Sequence, residues 1–288
     1  DFSRSLQGDD ESINQQVEKG KNLFSGLELA GKTLGVLGLG AVGVKVANAA
    51  AALDMKVIGF DPMLTLESAW QLSSTASRAQ SIDDLAANSD FITLHVPLSE
   101  ETHHLLDASR LKIVKPGAIL LNFSRAGVVD ENAVIKALED GGLGAYVSDF
   151  PSRATLGQPK AVVLPHLGAS TAEAEDNCAA MVTEQVRDFL ENGNIRNSVN
   201  FPDTFMPRNG GVRLCVANRN IPNMVGQISA ALAEANLNIA GLINKSRGEY
   251  AYTLVEVETE IPPATFERIR SVRGVLSARI INGQIHNR

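Results

Sequence analysis

The residues best suited to chemistry are three glycines and a few charged side chains, each standing directly after an apolar run. Gly38, Gly40 and Gly43 form GLGAVG. In this GxGxxG spacing the first glycine makes a tight turn, the second admits a pyrophosphate against the backbone, and the third lets helix and strand pack closely. The helix entered at Ala41 and Val42 would point unpaired N–H groups at the phosphates. Asp61 ends the next apolar run, 18 residues past Gly43. A carboxylate there accepts hydrogen bonds from the adenosine ribose and repels a 2′-phosphate, which favours NAD over NADP. Hydride transfer on a hydroxy acid further needs a cation to hold the carboxylate and a base to take the hydroxyl proton, roles that suit Arg and His. Arg125 follows AILLNF and His166 follows AVVLP, so these two are the catalytic candidates. His95 follows ITL and is expected to line the cofactor cleft.

Such residues need a frame that brings the ends of separate strands together. Strand-like runs at 33–38, 55–60, 90–96, 118–123, 144–149 and 161–164 alternate with helical stretches such as VGVKVANAAAAL and DENAVIKALEDG. That alternation implies an α/β fold with a doubly wound parallel sheet of the Rossmann type, whose ligands bind at the carboxyl ends of the strands. The helix from Asp130 has an acidic first turn and stops at Gly141-Gly142. A longer helix is expected over about 170–192, opened by Ser170 as the N-cap of the capping box STAE. His103 and His104 are expected to begin an exposed helical stretch. FPDTFMPRNGG (201–211) suits a linker. The tail after it reads strand, helix, strand, strand, helix, strand, the ferredoxin-like βαββαβ order.

A chain of 288 residues, 44% hydrophobic and 20% charged, can bury about two cores and lacks the composition of disorder. The formal net charge is −7, and the mildly basic tail has no interleaved aromatics, which argues against nucleic-acid binding. No apolar run approaches the roughly 20 residues of a membrane span and no signal peptide opens the chain, so a cytoplasmic location is expected. Cys178 and Cys215 have no CxxC spacing and read as buried, reduced thiols. No metal site is expected.

GLGAVG with FDP, ITLHVPLSEETHHLL, LLNFSRAGVVDENAV, SDFP and PHLGAST together resemble the D-isomer-specific 2-hydroxyacid dehydrogenases, over nearly the whole chain from about residue 17. AEDNCAAM and NSVNFP narrow the resemblance to the branch that oxidises 3-phosphoglycerate to 3-phosphohydroxypyruvate at the start of L-serine synthesis and carries a C-terminal ACT domain. The resemblance implies that Arg125 binds the substrate carboxylate, His166 is the acid/base, and Asp149 of SDFP contacts the nicotinamide end of the cofactor. Further cofactor contacts are expected at Ala41, Val42, Pro62, His95, Val96, Pro97, Phe123, Ser124 and Gly168. Asn220 and Asn238 match two asparagines that hold serine in allosteric relatives, and Asn218 stands where some relatives have His; L-serine is therefore the implied effector, and a homodimer or homotetramer the implied assembly.

The same resemblance divides the chain into a remnant of a substrate-binding region (1–16), the NAD-binding domain (17–168), a return helix (169–200), a linker (201–210) and the ACT domain (211–288). Two departures stand out. Ala154 occupies the position of a Glu that bonds the catalytic His in relatives, which leaves Asp149 as a possible substitute. The chain also opens at Asp1, just before the hinge into the cofactor domain, so an N-terminal substrate-binding half is expected to be missing. Both departures favour an alternative: a protein that senses NAD(H) and an amino acid without turnover. A dehydrogenase of another D-2-hydroxy acid is a further alternative.

Overall fold

The structure is a computed structural model that describes residues 2–283. It divides into two compact units, the first ending at Gly168 and the second beginning at Ala169. In the first unit, seven strands run parallel: β1 (Thr33–Leu37), β2 (Lys56–Phe60), β3 (Ser77–Arg78), β4 (Phe91–Leu94), β5 (Ala118–Asn122), β6 (Leu143–Ser148) and β7 (Ala161–Val163). Their spatial order is β3-β2-β1-β4-β5-β6-β7. The order reverses between β1 and β4, and in sheets of this kind ligands bind beyond the carboxyl ends of the strands at such a reversal. The two-residue β3 was not foreseen, because so short an edge strand carries no periodicity.

The central apolar runs become strands because both sheet faces are covered there: Leu34 to Leu37 of β1 and Ile92 to Leu94 of β4 are buried, whereas the edge strand β7 keeps Val162 half exposed. Leu34, Val36, Val44, Ala47, Ala50 and Val57 pack on one side of the sheet. Leu37, Leu85, Ile92, Leu94, Leu120, Val134 and Leu138 belong to the larger core. The helix Ala41–Ala52 lies close because its inward positions are small: Gly43, Ala47 and Ala50 are buried. Helix Glu131–Glu139 starts at Asp130, whose side chain accepts from the Ala133 N–H.

The long helix spans Ala172–Asn192 and ends on Gly193 with φ 77°. Its N-cap is Thr171, which accepts from Ala174 N at 3.2 Å, and not Ser170 as the STAE pattern suggested. A tight turn in which Thr171 N donates to Ala169 O sets the helix one residue later, and the residue then three positions on is Ala174, which has no side chain to close a box. Thr171→Ala should therefore cost about 1 kcal/mol of stability and Ser170→Ala less than about 0.5 kcal/mol, measured by denaturant unfolding. His103 and His104 are exposed as expected but lie in a turn, with their rings stacked at 3.9 Å and His104 at φ 50°, a backbone conformation that interrupts a helix. Cys215 is buried, whereas Cys178 is exposed, since no residue of the Ala172–Asn192 helix is buried.

The second unit carries an antiparallel sheet of β8 (Val212–Arg219), β9 (Ile239–Arg247), β10 (Tyr250–Val257) and β11 (Val275–Ile281), in the order β11-β8-β10-β9. Helices Met224–Glu234 and Pro263–Arg270 complete the βαββαβ order. Leu214, Val216, Val255 and Val257 meet Ile228, Leu232 and Ile269 of those helices. The alternate residues of the same strands, Cys215, Tyr252 and Leu254, form a separate apolar cluster with Ile195. Among the described residues, no helix is long and apolar enough to cross a membrane.

Candidate cofactor and catalytic site

Each glycine of the loop after β1 has a measurable reason. A Cβ on Gly38, whose φ is 90°, would stand 2.6 Å from the His95 carbonyl oxygen, and one on Gly43 would stand 1.9 Å from the Gly38 carbonyl oxygen. Both glycines let backbone meet backbone. Gly40 differs: a Cβ there meets nothing within 4 Å. Its space is open, and it caps the helix Ala41–Ala52 without any side-chain hydrogen bond to the first amides. An anion would find both room and donors there. Ala41, Val42 and Gly40 are exposed on this rim.

Asp61, directly after β2, accepts from Leu39 N at 2.8 Å through Oδ2 and from Met63 N at 2.8 Å through Oδ1. It thus holds the glycine loop and the turn at Pro62 together. Each carboxylate oxygen keeps a second lone pair for a ribose hydroxyl. His95, at the end of β4, has Nε2 3.0 Å from Thr93 Oγ1. Burial pushes its imidazole below the usual His value, which favours the neutral form. Val96 is half-buried and Pro97 exposed beyond it.

The ends of β5, β6 and β7 lie side by side, because Asn122 pairs with Ser148 and Ser148 with Val163. Arg125, Asp149 and His166 follow these three strands in turn. Arg125 is exposed, and its Nη1 donates to Ser124 O at 2.6 Å. The loop that presents it is folded by Asn122, which is fully buried. Asn122 Oδ1 accepts from Ser124 N and Ser124 Oγ, and its Nδ2 donates to Arg125 O at 3.0 Å. Asn122 was not among the expected site residues; an amide closing an otherwise apolar strand is the signal that could have found it. Phe123 is exposed and Ser124 buried.

Asp149 is only 7% exposed. Its Oδ2 stands 3.5 Å from His166 Nδ1, an ion-pair separation rather than a hydrogen bond, and its Oδ1 is buried with no partner. The Phe150 ring meets the His166 ring edge-on at 4.8 Å. Ala154 lies exposed in the short helix Arg153–Leu156. Gly168, with φ 55°, turns the chain just past His166. A buried carboxylate oxygen without a donor suits a carboxamide N–H, and open space at Gly40 suits a diphosphate, so the residues present fit a dinucleotide at both ends. Among the described residues, no group of three or more His, Cys, Asp or Glu could hold a metal.

The three asparagines of the tail are not brought together within one chain. Asn218 is buried near the end of β8, and Asn220 donates to Gly248 O at 3.1 Å. Asn238 precedes β9, whose first residue pairs with Val257, itself the partner of Val212. Asn238 is therefore at the opposite end of the sheet from Asn218 and Asn220.

Residues 1–168 match the family described as D-isomer specific 2-hydroxyacid dehydrogenase, NAD binding domain. The D-3-phosphoglycerate dehydrogenase of Haemophilus influenzae is 31% identical over 283 residues, covering 93% of this chain and 68% of its own length. That of Escherichia coli K12 is 30% identical over 267 residues, covering 88% of this chain and 64% of its own. The chain thus spans about two-thirds of the length of these two relatives. Among solved structures, a glyoxylate reductase from Paecilomyes thermophila superposes with a TM-score of 0.54 at 31% identity, over 60% of this chain and 54% of that one. NAD is the cofactor of the domain that the parallel sheet builds.

Proposed function

The chain belongs to the D-isomer-specific 2-hydroxyacid dehydrogenase family, and from that premise we propose that it oxidises 3-phosphoglycerate to 3-phosphohydroxypyruvate with NAD. The observation that carries this reading is the convergence of Arg125, Asp149 and His166 at the ends of three adjacent strands, with Asp149 Oδ1 left unpaired. The guanidinium of Arg125 holds the substrate carboxylate and draws charge from C2. His166 takes the C2 hydroxyl proton as the carbonyl forms. Bound NAD supplies the acceptor for the hydride that leaves C2. Asp149 serves both partners: Oδ1 accepts from the carboxamide, and Oδ2 stands 3.5 Å from His166 Nδ1.

A second reading, a protein that senses NAD(H) without turnover, is favoured by Ala154 and by the 3.5 Å gap between His166 and Asp149, which leaves the imidazole less firmly oriented than a bonded pair. One assay separates them. The chain is supplied with NAD and, in turn, 3-phosphoglycerate, D-lactate and D-mandelate, and reduced cofactor is followed by absorbance. Turnover with 3-phosphoglycerate above the others is expected; NAD binding without turnover of any substrate hands the case to the sensing reading, and preference for another acid reassigns the substrate.

For the tail, we propose an ACT-type module that binds L-serine across a pair of copies. β9 is an edge strand with an exposed face. If two β9 strands pair antiparallel, Asn238 of one copy arrives at the Arg247-Gly248 end of the other, where Asn220 sits. Such edge-to-edge pairing supports a dimer as the minimal assembly. Calorimetry should show L-serine binding that Asn220→Ala and Asn238→Ala each weaken about tenfold or more, the loss of about one or two hydrogen bonds. Equal affinity in both variants removes the site.

A further inference from the structure

The four-stranded sheet has two faces, and only one is covered by its own helices. The other is covered by the segment that follows the helix Ala172–Asn192, whose residues 195 and 204 pair as an isolated bridge. The cover is incomplete. A cavity of about 310 Å³ remains between the sheet, this segment and the last turns of the helix, all of them inside the second unit.

The walls are apolar and built by three elements. Val182, Val186 and Phe189 stand at i, i+4 and i+7, the spacing of one helix face. Ala217 and Tyr252 form the floor and are cross-strand partners in β8 and β10. Tyr252 is held by donating to Gly193 O at 2.9 Å, so its hydroxyl hydrogen is already engaged and its ring lines the space. The polar groups at the edge differ in what they have left. Asn194 is fully engaged, donating to Asp188 and accepting from Met206 N. Arg196 is not. Its Nε lies 3.9 Å from Asp188 Oδ2, beyond hydrogen-bond reach, and its guanidinium rests 5.3 Å from the Phe205 ring centroid.

We propose that this cavity is a second ligand site, separate from the dinucleotide crevice, for a small monocarboxylate with a branched or aromatic apolar body, its carboxylate on Arg196 and its body against Val186, Phe189 and Tyr252. The volume lies at the lower end of the range of small-molecule pockets, roughly 300–1,000 Å³, and mostly apolar walls with one placed charge are their usual chemistry. A cation with unspent donors beside that wall selects an acid over an alcohol or amide of the same shape. Asp188 offsets part of that charge, which excludes a dianion and leaves one carboxylate as the match.

The test uses 4-methylpentanoate and 3-phenylpropanoate, which lack an oxygen at C2 and so are not dehydrogenase substrates, titrated into the full chain by calorimetry. Both should bind, and 4-methylpentanamide about tenfold more weakly, the effect of one charge-assisted contact. Val186→Phe fills the cavity from the exposed helix face, and Arg196→Gln removes the cation at an exposed position; each should weaken 4-methylpentanoate at least about tenfold while NAD affinity stays unchanged. The proposal is overturned if neither acid binds, if acetate binds as tightly as 4-methylpentanoate, or if both variants that retain the wild-type melting temperature also retain the wild-type affinity.

Discussion

Gly43→Ala should lower NAD affinity at least about a hundredfold, near 2.7 kcal/mol, and destabilise the first unit by about 1–3 kcal/mol. The new methyl group would stand 1.9 Å from the Gly38 carbonyl, a backbone atom that cannot swing aside. The start of the helix Ala41–Ala52 must then retreat from β1, and the N–H groups that would cradle the diphosphate retreat with it. Gly40→Ala is the informative control. Nothing protein-made lies within 4 Å of its added methyl, so the melting temperature should stay within about a degree or two of the wild type, as for surface changes. NAD affinity should nevertheless fall, because the methyl takes the place reserved for phosphate. The pair of outcomes separates a glycine required by the fold from one required by the ligand. If Gly40→Ala binds NAD as tightly as the wild type, the open space is not the diphosphate's.

That contrast also marks what the sequence could and could not show. The spacing of Gly38, Gly40 and Gly43 was legible, and so were the strands behind Arg125 and His166, because each is written as an unbroken apolar run, although β5 is largely buried and the edge strand β7 is not. Which of the three glycines is pressed against backbone was not legible, since that depends on how closely β1, β4 and the helix approach in space. Asp149 shows the same limit. Its place in SDFP suggested a role at the cofactor; the free Oδ1 and the 3.5 Å approach of Oδ2 to His166 arise from the adjacency of β6 and β7. Asn122 is not legible because its partners, Ser124 and the Arg125 carbonyl, are backbone and hydroxyl groups of a loop that sequence marks only as polar. Cys178 shows the opposite case: its apolar neighbours suggest burial, but it is exposed because the helix that carries them has no buried residue.

Arg213 was the least legible of all, and replacing it should have the largest effect on stability. A lone arginine at the start of a strand reads as exposed, yet Arg213 is fully buried, and so is its cross-strand partner Glu256, 2.6 Å away. Its Nη1 donates to Asn192 O and Met206 O, and its Nη2 to Pro207 O and Glu256 Oε2. One side chain therefore ties the end of the helix Ala172–Asn192, the segment before β8, and the sheet itself. Burial alone would raise the Glu256 carboxyl, but donation from Arg213 and from Asn209 N holds it below the usual carboxylate value. A carboxylate of lowered pKa stabilises the fold above its ordinary titration range and ceases to do so as pH falls through the lowered value. Arg213→Met leaves that carboxylate buried with only the Asn209 N–H as donor and without its counter-ion, and strips three carbonyls of their donor, which should cost about 3–5 kcal/mol in denaturant unfolding. Glu256→Leu in the same chain should recover only part of the loss. A simple buried pair can be exchanged for apolar residues at little cost, whereas the carbonyls of Asn192, Met206 and Pro207 stay without a donor in the double variant. Full recovery would mean that the ion pair, and not the network of carbonyls, is what Arg213 contributes; a single variant as stable as the wild type would mean that water enters and neither is buried in solution.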